Sequence, residues 1–325
     1  MRALILAGGF GTRLRPLTYT RPKHLLPIAN RPHIEHVLRS LQASGVDEAV
    51  LMTSYLADAF GDTVERAKSW GFTMHVTHEE EPLGTAGAIK NAERFARDDT
   101  VLVMNGDVLT DIELTELARF HRDRGAEATI LLVPVEDPSR FGVVPTDDDG
   151  RVERFIEKPP PGEAVTNLIN AGVYVFEPSI LDRIPSGEVW STEHQLFPGL
   201  IDEGAALYAT SLPGYWRDIG TPRSLLEANL DAVGGVFRTD AVTEIGSPLI
   251  DPSATVDPAA EIAGSCIGAG VSIDSGASVT DSVLLPGVSV GEGADISTSI
   301  LGAGVTVSPD AHVKDHTAGD GEVLS

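Results

Sequence analysis

The sequence of 325 residues has little cysteine, little positive charge and no long hydrophobic run. Cys266 is the only cysteine, so no internal disulfide can form and we expect a reducing compartment. Lys and Arg number 24 against 48 Asp and Glu, and the net charge of -24 argues against a nucleic-acid partner, because phosphate backbones attract basic surfaces. Residues 3–7 are too short a run for a signal peptide, and no run approaches the roughly 20 apolar residues of a membrane span. We expect a cytoplasmic protein with no membrane or nucleic-acid partner.

The first 235 residues alternate short apolar segments with longer helical patterns. An amphipathic helix is predicted over residues 34–44. Strands are predicted at residues 3–7, 49–53, 101–104, 128–134 and 171–176. This alternation predicts an α/β fold with a Rossmann-like mixed, mostly parallel sheet and flanking helices. Ligands of such sheets lie beyond the carboxyl ends of the strands, which is where residues 8–11 and 105–107 fall.

From Ile250 to Val313 the pattern changes, because apolar residues recur in steps of 6, 6 and 5 with glycines between them. This hexapeptide rhythm predicts a C-terminal left-handed parallel β-helix, over residues 248–325, after a linker at 236–247. Such a repeat serves either as an acyltransferase domain or as a scaffold for oligomers and for docking another domain. Only about four coils are present and no histidine precedes His312 within them, which favours the scaffold.

The glycine-rich loop after the first strand is suited to phosphate, because backbone N–H groups can approach its oxygens where no Cβ intervenes. Leu14 stands where a dinucleotide fingerprint needs its third glycine, and no Walker lysine follows. The loop is then either a simple tight turn or a phosphate cradle that contains Arg13 and is followed by Lys23.

Seven motifs resemble, in order, those of the sugar-nucleotide pyrophosphorylase (nucleotidylyltransferase) family, and most of all its members that transfer guanylyl groups to mannose 1-phosphate. The motifs lie at residues 8–28, 80–87, 105–107, 141–144, 155–159, 170–174 and 216–222. The resemblance implies that residues 1–235 form a catalytic domain. It further implies that a sugar-phosphate oxygen attacks the α-phosphorus of a nucleoside triphosphate in line and releases pyrophosphate. We expect a homo-oligomer, either a dimer or a tetramer, because the ends of a β-helix stack are common association surfaces.

The resemblance also assigns site residues in this sequence. Arg13 and Lys23 match the catalytic cations, and Asp107 and Asp218 match the carboxylates that hold Mg²⁺. The nucleotide-binding positions are Leu6, Ala7, Gly8, Gly9, Gly11, Thr12, Glu81, Pro82, Gly84 and Thr85. The sugar-phosphate-binding positions are Gly142, Glu157, Lys158, Asn170 and Gly172. Simpler alternatives are a turn role for Asp107, a helix cap for Asp218 and a structural ion pair for Glu157.

Glu81 bears on the choice of base, since uridylyl- and thymidylyl-transferring relatives have glutamine at the matching position. A carboxylate only accepts hydrogen bonds, and guanine presents two adjacent donors, which favours GTP. Mannose 1-phosphate is the favoured acceptor. However, Ser191-Thr192-Glu193-His194-Gln195 and His24 depart from the mannose pattern, so a modified sugar or a cyclitol phosphate stays open.

Two further alternatives remain at this point. One is a thymidylyl- or uridylyltransferase acting on glucose 1-phosphate or a related phosphate. The other is a non-catalytic regulatory homologue, which would be expected to lose Arg13, Lys23 or one of the two aspartates. All of these residues are present.

Overall fold

The computed structural model describes residues 1–54, 56–79 and 81–325. These residues form two compact units that do not follow the order of the chain. The first consists of Met1–Gly9 and Val37–Trp216, and the second of Phe10–His36 and Arg217–Ser325. Most of the glycine-rich loop, from Phe10 onward, therefore belongs to the same unit as the C-terminal repeats.

The first unit is built on a nine-stranded mixed sheet. Seven of its strands lie side by side in the order Ile156–Glu157, Gly142–Val143, Leu168–Phe176, Val101–Asn105, Arg2–Leu6, Glu48–Thr53 and Thr73–His78. The other two branch from this row: Ala128–Pro134 pairs with Leu168–Phe176, and Leu207–Ser211 pairs with Ala128–Pro134. Arg2–Leu6 is parallel to both of its neighbours, so that Leu6 lies opposite Met52 and Asn105. Leu168–Phe176 is antiparallel to Val101–Asn105. The prediction of a mixed, mostly parallel sheet is confirmed, and the loops after Leu6, Thr53 and Asn105 leave the same edge of this sheet.

Fully buried aliphatic and aromatic side chains on the sheet form the core of this unit. The rings of Tyr174 and Phe176 stack with centroids 5.6 Å apart, and Phe197 meets Tyr174 edge-on at 5.3 Å. Such offset and edge-to-face pairs add to the stabilisation that comes from burying their apolar area. The core holds the strands in fixed positions, and with them the loops at their carboxyl ends.

Two of the α-helices have terminal residues that explain where they end or begin. Leu114–Arg124 ends at Gly125, whose φ of 57° lies in the left-handed region that glycine adopts readily. Pro222–Val233 begins with proline after Thr221, whose hydroxyl accepts the Ser224 N–H in a capping box. The other α-helices are His33–Ala43, Gly61–Ser69, Gly84–Asn91 and Phe197–Asp202, and Thr192–Leu196 is a π-helix. The short 3₁₀ helices are Thr12–Leu14, Lys23–Leu25, Ala57–Phe60, Glu93–Phe95, Pro138–Arg140 and Pro178–Arg183.

None of the helices in the described part of the chain is long and apolar enough to cross a membrane.

The remaining short strands outside the repeats are Pro27–Ile28, Arg31–Pro32, Val108–Thr110 and Trp216–Asp218. Pro27–Ile28 and Arg31–Pro32 form an antiparallel hairpin in the second unit. Ala29 and Asn30, in the turn of this hairpin, have φ values of 49° and 58°. The Ala29 N–H donates to the Asn229 side chain at 2.9 Å, so this turn is fixed on the Pro222–Val233 helix.

The repeats form a parallel β-helix with three sheets. The first sheet contains Leu249–Ile250, Cys266–Ile267, Val283–Leu284, Ile300–Leu301 and Thr317–Ala318. The second contains Thr255–Val256, Ser272–Ile273, Ser289–Val290, Thr306–Val307 and Val323–Leu324. The third contains Glu261–Ala263, Ser278–Thr280, Asp295–Ser297 and His312–Lys314. Ile250, Ile267 and Leu284 lie in register, which confirms the hexapeptide prediction and is consistent with the left-handed class.

The interior of the β-helix differs from the sequence-based expectation in two ways. Ile250 is 39% exposed, because no coil stacks in front of the first one. In addition, Ser265, Ser282 and Ser299 are completely buried and form a ladder, in which the Ser282 N–H donates to Ser265 Oγ at 3.0 Å and the Ser299 N–H to Ser282 Oγ at 3.1 Å. The interior therefore contains a line of satisfied polar groups beside its apolar core.

Candidate nucleotide and sugar-phosphate site

Gly8 lies at the end of the Arg2–Leu6 strand and is held from the neighbouring strand. The Ala7 N–H donates to the Met52 carbonyl at 2.8 Å, and Ser54 Oγ donates to the Gly8 carbonyl at 2.7 Å. A Cβ at Gly8 would lie 3.4 Å from Ser54 Oγ and 3.8 Å from Glu79 Oε2. Leu6 is half-buried, Ala7 is buried, and Gly9 is exposed. The turn thus starts from a fixed point of the sheet, beside the Glu79 carboxylate.

Glu79 is a candidate site residue that the sequence did not single out. Its side chain is only 5% exposed, and burial raises the pKa of its carboxyl group. Oε2 accepts the Leu83 N–H at 3.5 Å, whereas Oε1 has no hydrogen-bond partner within the described residues. Because a buried acceptor without a partner is costly, Oε1 is suited to a donor brought by a ligand. The only sequence signal was its place in a run of three acids.

Glu81 and Pro82, which the resemblance assigned to nucleotide binding, are both exposed. Glu80, part of the same motif, lies outside the described residues, as does Tyr55. The role of Glu81 in reading the base stays a prediction, and Glu79 is the buried carboxylate of this segment.

Gly84 and Gly87 are required by a close approach of two backbones. The Trp190 N–H donates to the Leu83 carbonyl at 2.8 Å, and the Trp190 carbonyl accepts the Gly87 N–H at 3.0 Å. A Cβ would lie 2.8 Å from the Trp190 oxygen at Gly84 and 2.7 Å from the Glu188 oxygen at Gly87. Gly84 also has a φ of +74°. These contacts join the predicted nucleotide loop to the segment in which the sequence departs from the mannose pattern.

Thr85 forms the polar part of this junction. Its hydroxyl donates to Glu193 Oε2 at 3.0 Å and lies 2.8 Å from the Thr192 hydroxyl, while Ser191 Oγ donates to the same Glu193 oxygen at 2.7 Å. The sequence singled out Thr85 as a nucleotide residue but gave Glu193 no role. The structure therefore brings Glu193 beside the nucleotide loop through hydrogen bonds of the described residues.

Gly172 and Asn170 lie where the Leu168–Phe176 strand changes register. A Cβ at Gly172, whose φ is +71°, would lie 2.6 Å from Asn105 Nδ2. Asn170 Oδ1 accepts the Gly172 N–H at 2.9 Å, and Asn170 Nδ2 donates to the Tyr174 hydroxyl at 2.9 Å. Asn105 Oδ1 is buried and has no hydrogen-bond partner in the described part of the chain. Gly172, in the irregular strand, thus leaves room for the Asn105 amide, which directly precedes the Gly106–Asp107 turn.

Glu157 packs over Gly142, where a Cβ would lie 3.0 Å from Glu157 Oε2. The Glu157 side chain is 19% exposed and forms an ion pair of 2.8 Å with Lys158, which is 65% exposed. Lys158 has a φ of 47°. The structural ion pair considered from the sequence is therefore present, and the solvent-facing ammonium of Lys158 remains accessible to a phosphate.

In the second unit, Arg13 and Asp218 converge on Gly220. A Cβ at Gly220 would lie 2.7 Å from Arg13 Nη2 and 3.0 Å from Asp218 Oδ1. Asp218 ends a short strand and the helix that follows is capped by Thr221, so the alternative of a helix cap for Asp218 is wrong. Near Gly220, which has no side chain to fill the space, the Arg13 guanidinium is suited to binding a phosphate and the Asp218 carboxylate is suited to binding a cation.

Gly11, with a φ of +63°, starts the 3₁₀ turn that contains Thr12 and Arg13, both exposed. Thr18 Oγ1 donates to the Gly11 carbonyl at 2.8 Å. A Cβ at Gly11 would lie 3.2 Å from Lys23 Cβ, so the half-buried Lys23 packs behind this turn. Both predicted catalytic cations are thus held by one loop.

Asp107 and Asp218 each offer carboxylate oxygens, which are ligands that divalent cations take in proteins. Asp107 lies in the turn between the Val101–Asn105 and Val108–Thr110 strands, and Asp218 is the last residue of the Trp216–Asp218 strand. Both side chains are half-buried. The described residues contain no group of three or more His, Cys, Asp or Glu side chains arranged to hold a metal. Magnesium is commonly bound by one or two carboxylates together with substrate phosphates and water.

Comparison with known proteins places the chain in a family. Residues 2–233 match the family described as nucleotidyl transferase, and residues 244–323 match the GMPPB C-terminal domain. The chain belongs to the nucleotidyl transferase family.

Among its relatives, the Mycobacterium tuberculosis mannose-1-phosphate guanylyltransferase is 42% identical over 260 residues, covering 79% of this chain and 71% of the relative. The Drosophila pseudoobscura mannose-1-phosphate guanylyltransferase catalytic subunit beta is 40% identical over 264 residues, covering 78% and 70%. The crystal structure of HddC from Yersinia pseudotuberculosis in complex with GMP-PN superposes with a TM-score of 0.61 at 30% sequence identity. The match covers 70% of this chain and 97% of the HddC chain. The predicted family is therefore confirmed.

Proposed function

We propose that this protein transfers a guanylyl group from GTP to mannose 1-phosphate, giving GDP-mannose and pyrophosphate. The observation that carries the proposal is the similarity, near 40% identity, to proteins named for this reaction. The match to the GMPPB C-terminal domain extends the likeness into the β-helix.

The preference for GTP rests on a carboxylate in the segment 79–85. Guanine offers N1–H and N2–H₂ side by side, and a carboxylate can accept both, whereas uracil and thymine present one N–H between two carbonyl oxygens. Glu81 is one candidate for this role. Glu79, whose Oε1 is buried without a hydrogen-bond partner among the described residues, is the other. The crystal structure of HddC in complex with GMP-PN supports a guanine nucleotide in this fold.

The reaction needs positioning and charge neutralisation rather than a protein nucleophile. The sugar-phosphate oxygen attacks the α-phosphorus, the bond from that phosphorus to the bridging oxygen breaks, and pyrophosphate leaves from the opposite side. Arg13, held beside Gly220, and Lys23, behind Gly11, place positive charge near the phosphates and stabilise the leaving group. Glu157, Lys158, Asn170 and Gly172 orient the sugar phosphate. Asp107 and Asp218 would hold Mg²⁺, which supplies further neutralisation of phosphate charge.

Two further parts of the proposal concern the setting of the enzyme. We propose a cytoplasmic location, which suits a chain with a single, buried cysteine. A homo-oligomer, dimeric or tetrameric, is proposed because the stacked ends of a β-helix offer association surfaces.

The proposal is tested by pyrophosphate release with five nucleoside triphosphates crossed against mannose, glucose and N-acetylglucosamine 1-phosphates. The highest kcat/KM is expected for GTP with mannose 1-phosphate. Preference for dTTP or UTP with glucose 1-phosphate would move the protein to another branch of the family. Absence of turnover with every pair would support a regulatory homologue.

A further inference from the structure

Asp320, in the last coil of the β-helix, contacts the glycine-rich loop nearly 300 residues before it. Arg21 Nη2 and Thr20 Oγ1 both donate to Asp320 Oδ2 at 2.6 Å. The side chains of Arg21 and Asp320 are 24% and 21% exposed, so the ion pair is largely shielded from water. All of these residues belong to the second compact unit. A charge-assisted hydrogen bond in such a position is stronger than an exposed surface ion pair.

The other oxygen of Asp320 is fixed by the β-helix itself. Oδ1 accepts the Ala303 N–H at 2.8 Å, and the Gly321 N–H donates back to the Ala303 carbonyl at 2.8 Å. Burial opposes ionisation of Asp320, but the hydrogen bonds from Thr20, the Ala303 N–H and Arg21 together hold its pKa below the usual value. The carboxylate is thus charged at neutral pH, and its Oδ1 is held by the β-helix while its Oδ2 binds the loop.

Two more contacts place this loop against the β-helix. A Cβ at Gly319 would lie 3.1 Å from Pro16 Cβ, so the last coil also touches the loop beside its first 3₁₀ turn. Farther along, Asn30 Nδ2 donates to the Ile267 carbonyl at 2.8 Å. The segment that carries Arg13 and Lys23 is therefore attached to the β-helix on both sides of Lys23.

We infer that Asp320 is a positioning residue for the reaction, through which the last coil of the β-helix holds Arg13 and Lys23 in their productive places. The inference rests on the proposed nucleotidyl transfer and adds a catalytic role for the β-helix. Arg21 lies only two residues before Lys23, so release of Arg21 lets the loop and its cations shift. A displacement of about 1 Å at a reacting centre can cost roughly a hundredfold in rate.

The test compares Asp320→Ala, Arg21→Ala and the double variant with wild type, and uses Asp274→Asn, at an exposed turn of another coil, as the matched control. Both single variants are expected to lower kcat about tenfold or more, because a charged hydrogen bond is lost. The kcat of the double variant should be no lower than that of the less active single variant, since both substitutions remove the same hydrogen-bonded contact. The melting temperature shows whether each variant is folded, and Asp320→Asn, which keeps the shape of the side chain, replaces Asp320→Ala if that variant fails to fold.

Hydrogen exchange of residues 10–25 gives a second readout that does not need turnover. Faster exchange of this segment in Asp320→Ala, with the control unchanged, is expected even if the enzyme uses other substrates than those proposed. If the wild type prefers another substrate pair, kcat is measured with that pair. The inference is overturned if Asp320→Ala keeps kcat within about twofold of wild type, if the two single effects multiply in the double variant, or if exchange of the loop is unchanged.

Discussion

Glu79 and Glu81 are two residues apart and chemically identical, but their surroundings differ. Glu79 is 5% exposed and lies beside Gly8, whereas Glu81 is exposed. The family resemblance placed base recognition at Glu81, and the run of acids in which it lies gives no sign of which side chain is buried. Burial depends on the path of the chain after the Thr73–His78 strand, and this path is not encoded in the motif itself.

Replacing each carboxylate in turn separates the two candidates. Glu79→Gln keeps the size of the side chain but exchanges one acceptor for a donor, so kcat/KM for GTP relative to UTP should fall about ten- to a hundredfold. Where Glu79 reads the base, Glu81→Gln leaves this ratio within about threefold of wild type. Steady-state kinetics with the best sugar phosphate provide both numbers. The reverse pattern would support the sequence-based assignment of Glu81.

His36 is buried beneath the hairpin turn in the second unit and lies 2.8 Å from the Ile28 carbonyl. Burial lowers the pKa of His36 to about 3 from its ordinary 6.5. Arg31 and His33 lower it further, while the Ile28 carbonyl and Asp240 act in the opposite direction. The folded protein therefore keeps this imidazole neutral at a pH where the unfolded chain binds a proton.

This shift predicts a pH dependence of stability. The contribution of neutral His36 is fully present above pH 6.5 and is lost as the pH falls toward 3, by up to about 1.4 kcal/mol per pH unit. His36→Gln should show a shallower loss of unfolding free energy between pH 7 and pH 4 than wild type in urea titrations. His75→Gln, at a side chain 42% exposed, is the control. Equal slopes for wild type and His36→Gln would contradict a neutral buried imidazole.

Among the secondary-structure elements, the β-helix was the most predictable. Each coil repeats the same apolar positions, and this repeat determines which residues of successive coils stack on one another. Ile267, Val279 and Ile296 were expected inside and are buried. The serine ladder was not expected, because serine also suits the turns between coils. In the stack, Ser282 Oγ donates to the Thr280 carbonyl of its own coil and accepts the Ser299 N–H of the next coil, so the buried hydroxyl is satisfied on both sides.

The serine ladder predicts an unequal cost of two small substitutions. Ser282→Ala removes the acceptor of the Ser299 N–H and leaves a buried polar group without its partner, which costs about 1–3 kcal/mol of unfolding free energy. Ser289→Ala, on the exposed side of a neighbouring strand, should change stability by less than about 0.5 kcal/mol. Urea unfolding of both variants is the measurement. Equal stability of the two would mean that the ladder contributes little.

For the whole molecule, the fold class and the order of the site motifs were available from the sequence, while the packing of residues 10–36 was not. The domain boundaries predicted near residues 235 and 248 follow the change of rhythm along the chain. The compact units instead group Phe10–His36 with Arg217–Ser325. Contacts such as Arg21 with Asp320 join residues 299 positions apart, and neither motif carries a mark of its partner.

For the candidate site too, the sequence predicted which residues take part but not all of the contacts between them. The motif resemblance assigned Arg13, Lys23 and Asp218 to the site, and the structure brings the first and third of these together at Gly220. It missed Glu193, whose carboxylate accepts from Thr85, because the stretch that contains it departs from the mannose pattern. A contact between side chains is set by the tertiary fold, so single motifs predict which chemistry is present better than they predict which groups meet.

The central claim, guanylyl transfer between GTP and mannose 1-phosphate, is tested most directly by the reverse reaction. Wild-type protein with pyrophosphate and Mg²⁺ is incubated with GDP-mannose, UDP-glucose, dTDP-glucose or ADP-glucose, and the nucleoside triphosphate formed is quantified. Because one phosphoanhydride is exchanged for another, the account predicts rapid formation of GTP from GDP-mannose, at least about tenfold faster than any other triphosphate. Asp107→Ala and Asp218→Ala should each abolish this formation. Preferred formation of UTP, dTTP or ATP, or near-normal turnover in either aspartate variant, would contradict it.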